Sequence, residues 1–115
     1  AFHTAHTESG DYTNLSYLTA EDQAQGTAYQ MISRDIGNGG DESGAGELFL
    51  FNPSNTTYVK HWYSRAHGVN VGLAPAYASS NFCAGYINTT LAIDEISFKM
   101  ESGNFDGIIK MYGVG

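Results

Sequence analysis

The sequence predicts an all-β fold, an antiparallel β-sandwich of the jelly-roll kind, and three observations lead there. The chain of 115 residues holds 14 Gly, 8 Tyr and 6 Phe with only 15% charged residues, a mixture that suits strands and turns better than helices. Gly and Pro recur at intervals that leave room only for short strands. Apolar and polar residues alternate in several runs, and no stretch carries a convincing helical period. The length fits one domain and excludes two. Residues 1–115 therefore form a single β-sandwich domain, as a whole module or as the C-terminal part of a longer one.

The elements follow in order. "AFHTAHTE" alternates loosely and precedes the turn "SGDYTN". "LSYLTA" is a short strand. "TAYQMISRDI" carries β-branched and aromatic residues between glycine turns and reads as a strand. "GNGGDESGAG" is an acidic, glycine-rich loop. "ELFLF" has large residues on both faces, as a strand buried on two sides would. "NPSNTT" is a turn, since Pro53 has no N–H for a ladder.

In "YVKHWYSRAH" the period of two sets Tyr58, Lys60, Trp62 and Ser64 on one face and Val59, His61, Tyr63 and Arg65 on the other. Both faces are mixed, so the pattern does not say which points inward. "GVNVGLAPAYASS", residues 68–80, reads as a long loop. "NFCAGYINTT", "LAIDEISFKM" and "GIIKMYGV" complete the chain as three closing strands. Ile96, Phe98 and Met100 share one face of the second and are expected in the core. There they would pack against Ile109 and Met111 of the last strand, with "ESGNFDG" fixing the register of the closing hairpin. Removal of residues 107–115 is accordingly expected to abolish folding.

Charge narrows the partners. Five Lys and Arg against twelve Asp and Glu leave a net charge of -7. Neutralising nucleic-acid phosphates needs clustered cations, and Lys60, Arg65, Arg34, Lys99 and Lys110 are scattered. Nucleic acid and an anionic membrane surface are therefore poor partners. No apolar run of about 18 residues is present to span a bilayer as a helix, and the opening residues show no signal-peptide pattern.

Catalytic motifs are absent: no G-x-S-x-G, H-E-x-x-H, phosphate-binding loop or C-x-x-C occurs. Cys83 is alone and sits in a strand, where it reads as a small buried hydrophobe. His3 and His6 fall on opposite strand faces. His61 and His67 share a face, but about 20 Å of strand separates them. Asp94 and Glu95 are adjacent and point apart, unlike a glycosidase pair. No enzyme activity and no cofactor are expected.

Four weaker candidates remain. Asp35, Asn38, Asp41 and Glu42 offer oxygen ligands for calcium on one loop, against the simpler reading of an acidic turn. Asn104 and Asp106 resemble part of a calcium loop, but Gly113 stands where its closing carboxylate belongs. Asn14, Asn55 and Asn88 each open an N-x-[ST] sequon, a short pattern that arises readily in an Asn- and Thr-rich chain. Tyr12, Tyr17, Tyr58, Trp62, Tyr63 and Tyr77 lie beside polar loops or on mixed faces, with Tyr58, Trp62 and Tyr63 the foremost candidates. Such aromatics anchor subunit interfaces or stack on sugar rings, beyond those the core needs.

"GELFLFNPSNTTYVKHW" and "AGYINTTLAIDEISFKMESGNFDGIIKMYGVG" together resemble the C-terminal β-sandwich module of virion structural proteins of marine and other tailed bacteriophages. That group ends on a glycine-rich turn and a strand reading roughly G-x-I-x-L-Y-G-I. Gly107, Ile109, Tyr112 and Gly113 fit it, with Met111 for Leu and Val114 for Ile. The likeness covers residues 46–115 well and 1–35 loosely. It implies a structural, non-enzymatic role in a tail fibre, spike or capsid decoration, at a virion surface or outside the cell. Its members carry further upstream strands, so either the chain is a fragment of the module or a neighbouring subunit or segment supplies the missing edge. The expected partners are copies of the chain itself or fibre and virion neighbours. Surface glycans bound through exposed aromatics, as in an adhesin, form the alternative, and a filament subunit of non-phage origin is a third reading.

Overall fold

The structure is a computed structural model and describes residues 1–70 and 76–115. Five strands form one antiparallel sheet: β1 (Phe2–Thr7), β2 (Thr13–Tyr17), β3 (Gly44–Leu50), β4 (Lys60–Asn70) and β5 (Tyr77–Ile87). They lie side by side in the order β2-β1-β5-β4-β3. The only helical element among the described residues is a 3-10 turn at Thr19–Glu21.

Alternation sets the two faces. His3, Ala5 and Thr7 of β1 are buried while Phe2, Thr4 and His6 are exposed. In β5, Ser79, Asn81 and Cys83 are buried and Ser80, Phe82 and Ala84 are not. The register pairs Lys60 with Ile87 and Asn70 with Tyr77 along the central β4–β5 ladder. Lys60, Trp62, Ser64 and Gly68 therefore join the covered face with Asn81 and Cys83, and Tyr63 and Arg65 join the other.

The tight β1–β2 connection turns through Gly10, whose φ of 75 suits a residue without Cβ. Asp11 accepts hydrogen bonds from Thr7 Oγ1 at 2.6 Å and Ser9 Oγ at 2.5 Å. Those two donors hold its carboxyl below the usual range.

A segment without regular structure, residues 29–37, lies over the covered face. Cys83 Sγ donates to the Met31 carbonyl at 3.4 Å and Ser79 Oγ to that of Arg34 at 3.3 Å. The Gly37 N–H reaches the Val69 carbonyl at 3.3 Å. Ile36 sits so close to Gly44 and Gly68 that an added Cβ would meet it at 2.7 and 3.0 Å. The strand expected in "TAYQMISRDI" does not form, because side chains of the sheet, and not a ladder, take up much of this backbone. Residues 88–99 are tied near the same side. Ile93 N donates to the Pro53 carbonyl at 2.8 Å, and the Tyr29 hydroxyl bonds Ser97 Oγ at 2.8 Å.

The all-β antiparallel class holds, while the described residues contain one sheet and no second one to complete a sandwich. "ELFLF" forms an edge strand that is mostly exposed, not one buried on two sides. The long loop expected at 68–80 is shorter: Gly68–Asn70 belong to β4 and Tyr77–Ser80 to β5, and residues 71–75 lie outside the described residues.

The closing hairpin is the largest correction. Residues 94–115 contain no strand. Ile96, Phe98, Ile109 and Met111 are exposed, Met111 at 87%, and Met100 is half-buried. Alternation makes a segment able to join a sheet, but a strand exists only where a partner supplies the ladder. Here the covered face is already occupied by residues 29–37, and no strand among the described residues pairs with the outer edges of β2 and β3. Ala5 and Cys83 are the only hydrophobic residues that are fully buried among those described.

Candidate functional site

The opposite face of the sheet is bare, and aromatic side chains dominate it. The paired registers carry one row across all five strands: Tyr17, Phe2, Phe82, Arg65 and Glu47. Phe2 meets Tyr17 edge-on at 5.2 Å between ring centroids. Beside that row, Tyr63 is the hub. It stacks with Phe49 at 4.8 Å and Phe82 at 6.2 Å, and Phe51 tilts against it at 5.9 Å. His61 and Tyr86 extend the patch at 6.1 Å. Such pairs prefer offset or edge-on geometry because of the ring quadrupole, so the patch is ordered before any partner arrives.

Two pairs of polar groups on this face are matched internally. Arg65 Nη2 and Nε bond Glu47 Oε1 at 2.5 and 3.1 Å. His67 Nδ1 lies 2.9 Å from Ser80 Oγ. A shallow depression of about 570 Å³ runs between Phe2, Thr4, Arg65, His67 and Phe82. The face is therefore apolar, nearly charge-neutral and flat, which suits packing against another surface better than enclosing a small molecule.

The whole molecule shares this excess of surface. Its accessible area is 8746 Å², where a compact 12.4 kDa monomer exposes about 6,100 Å². Its radius of gyration of 15.8 Å likewise exceeds the roughly 13 Å of a compact chain this long.

The aromatics singled out from sequence do not form one surface. Trp62 is on the covered face and Tyr63 on the bare one. Tyr58 precedes β4 and is 70% exposed. It lines a separate cleft of about 330 Å³ with Phe51, Asn52, Asn55, Val59 and His61. Tyr17, one of the aromatics expected at an interface, does lie on the bare face beside Phe2. Phe2, Phe49, Phe82 and Tyr86 carried no such signal, although their strand parity relative to Tyr63 groups them once the pairing is known.

Nor does the acidic loop gather into a calcium cage. Asp35, at φ 59, turns to Arg34 Nε at 3.2 Å and to Tyr77. Glu42 accepts from the Gly39 N–H, and Asn38 and Asp41 are exposed. No group of three or more His, Cys, Asp or Glu side chains is arranged to hold a metal among the described residues. Of the sequon residues, Asn14 and Asn88 are exposed. The Asn55 Oδ1 instead accepts from the N–H groups of Thr57 and Tyr58 at 2.7 and 2.8 Å.

Under residues 29–37 lies a polar layer. His3 pairs directly with Asn81, and among the described residues His3 Nε2 and both Asn81 amide atoms have no hydrogen-bond partner, although His3 Nε2 lies 3.9 Å from Asp35 Oδ2. Burial pushes the Cys83 thiol up, so it stays protonated and is a poor nucleophile. Among the described residues no helix is long and apolar enough to cross a membrane. The chain matches no family model, no curated protein and no solved structure.

Proposed function

We propose that the chain is a non-enzymatic structural subunit of a virion surface or extracellular fibre, which completes its sandwich by packing its bare face on the same face of a second copy. The observation that carries this reading is the ordered aromatic patch centred on Tyr63, Phe49 and Phe82, left without cover on a chain with far more surface than a compact monomer. Two sheets facing each other about 10 Å apart would bury the patch as the core of a sandwich. Such a contact is isologous, so one patch serves both copies. The formal charge of -7 would oppose association, but Glu47 is already neutralised by Arg65 on this face. The virion or fibre setting comes from the resemblance of residues 46–115 to phage structural modules.

Light scattering coupled to size-exclusion chromatography tests the reading. The wild-type chain is expected as a defined oligomer, and Tyr63→Ser with Phe82→Ser is expected to return it to monomer. A wild-type chain that stays monomeric at high concentration overturns it. Binding of that monomer to a glycan array, lost on changing Tyr58, would put sugar recognition in its place.

A further inference from the structure

Residues 101–115 are exposed throughout, with Ile108 at 84% and Met111 at 87%. They nevertheless carry a strand's alternation: Ile108, Lys110 and Tyr112 to one side, Ile109 and Met111 to the other. An apolar segment of this kind in water is unfavourable at each exposed side chain. The same chain presents β3 as a sheet edge whose outer backbone groups have no strand partner among the described residues. The tail does not take its own β3 edge. Its stem is fixed near the covered face, where Ser97 bonds Tyr29 and Lys99 Nζ lies 4.5 Å over the Tyr29 ring.

We infer that residues 107–113 of one copy add as an antiparallel strand to the β3 edge of a second copy. The inference rests on the self-assembly reading and specifies a second contact for it. Length favours β3, since the run and β3 both have 7 residues while β2 has 5. Chemistry sets the register. With Lys110 opposite Glu47, Ile108 falls opposite Phe49 and Tyr112 opposite Ala45 on the bare face. Ile109 then falls opposite Leu48, and Met111 opposite Gly46, which has no side chain to crowd it. Gly107 and Gly113 close the two ends at Leu50 and Gly44. Aliphatic meets aliphatic on one face, and on the other the cation meets the acid beside a pair of apolar rings and chains, the cross-strand matches that stabilise sheets. The added strand would also widen the aromatic face that the first contact buries.

Mixing two singly substituted chains tests this directly. Directly opposed residues in an antiparallel pair have Cα atoms about 4.5–5.5 Å apart, within disulfide reach. A Leu48→Cys chain mixed with an Ile109→Cys chain under mild oxidation is expected to give a covalent heterodimer of twice the chain mass. Peptide mapping is expected to find positions 48 and 109 linked, in excess over the symmetric disulfide that either chain forms alone, since Cys83 is buried and only the introduced thiols are accessible. Absence of the mixed product overturns the inference, and so does closure within one chain when both substitutions are combined. Light scattering on a chain lacking residues 107–115 separates the two readings. If it assembles like wild type while Tyr63→Ser with Phe82→Ser does not, face packing stands and strand donation fails. If wild type itself is monomeric, both fail.

Discussion

Trp62 lies against Gly85, its direct partner on the neighbouring strand, so closely that a Cβ at Gly85 would come within 3.3 Å of the indole. The glycine thus makes room for the ring on the covered face. Gly85→Val would force the ring off this position, and overpacking of that sort costs about 1–3 kcal/mol. Trp62 is the single tryptophan of the chain, so its fluorescence reports on this site alone. The expected result is a red-shifted emission with a lower melting temperature. Unchanged emission would mean that the indole does not rest on Gly85.

Lys60 is wholly buried, and its ammonium donates to the carbonyls of Tyr58 at 3.1 Å and Thr89 at 3.2 Å. It ties the start of β4 to the chain leaving β5. Lys60→Met keeps the stem but leaves two carbonyls without this donor. Relief of the buried charge offsets part of that loss, so a net destabilisation of about 1–3 kcal/mol is expected. Chemical denaturation measures it, and amide exchange near Thr89 should quicken. Equal stability would show the tether to be redundant.

Tyr77 supplies a pH prediction. Burial, and then its hydrogen bond with Asp35, pushes its phenol up to about 12 from an ordinary value near 10. The folded pKa is raised, so the fold favours the protonated phenol. This contribution to stability is fully present below about pH 10 and is lost as pH rises from there through 12. An ultraviolet titration should show one tyrosine ionising well after the bulk, with Tyr17 delayed by its bond to Asp22. Tyr77→Phe should remove the latest step. A titration of all tyrosines together near 10 would contradict the placement of Tyr77.

What the sequence revealed follows a physical division. The faces of β4 were legible as sets, because Lys60, Trp62 and Ser64 alternate with His61, Tyr63 and Arg65 whatever lies above them. Cys83 was legible as a buried thiol because a lone cysteine in a strand packs as a small apolar group. Which side was covered was not legible, since residues 29–37 decide it from a distant part of the chain. Their own composition resembles a strand, yet Ser79 and Cys83 side chains, not a neighbouring strand, hold their carbonyls. The bare patch was hidden for the same reason. Phe2, Phe82 and Tyr17 are far apart in sequence, and only the β2-β1-β5-β4 pairing aligns them.

The tail separates local pattern from tertiary role most clearly. Its alternation suggested a closing hairpin whose loss would abolish folding, with Ile109 and Met111 in the core. Both are exposed, and residues 107–115 make no hydrogen bond to the sheet among those described. Truncation after Asp106 should therefore leave the unfolding free energy of the isolated chain within about 0.5 kcal/mol of wild type, as for substitutions away from buried contacts. Assembly, in contrast, should weaken, because the strand that fills the β3 edge of a second copy is gone. Calorimetry at low concentration reads the first effect and light scattering at high concentration the second. Loss of a cooperative melt in the dilute truncated chain would restore the hairpin as a core element, and would count against a free tail.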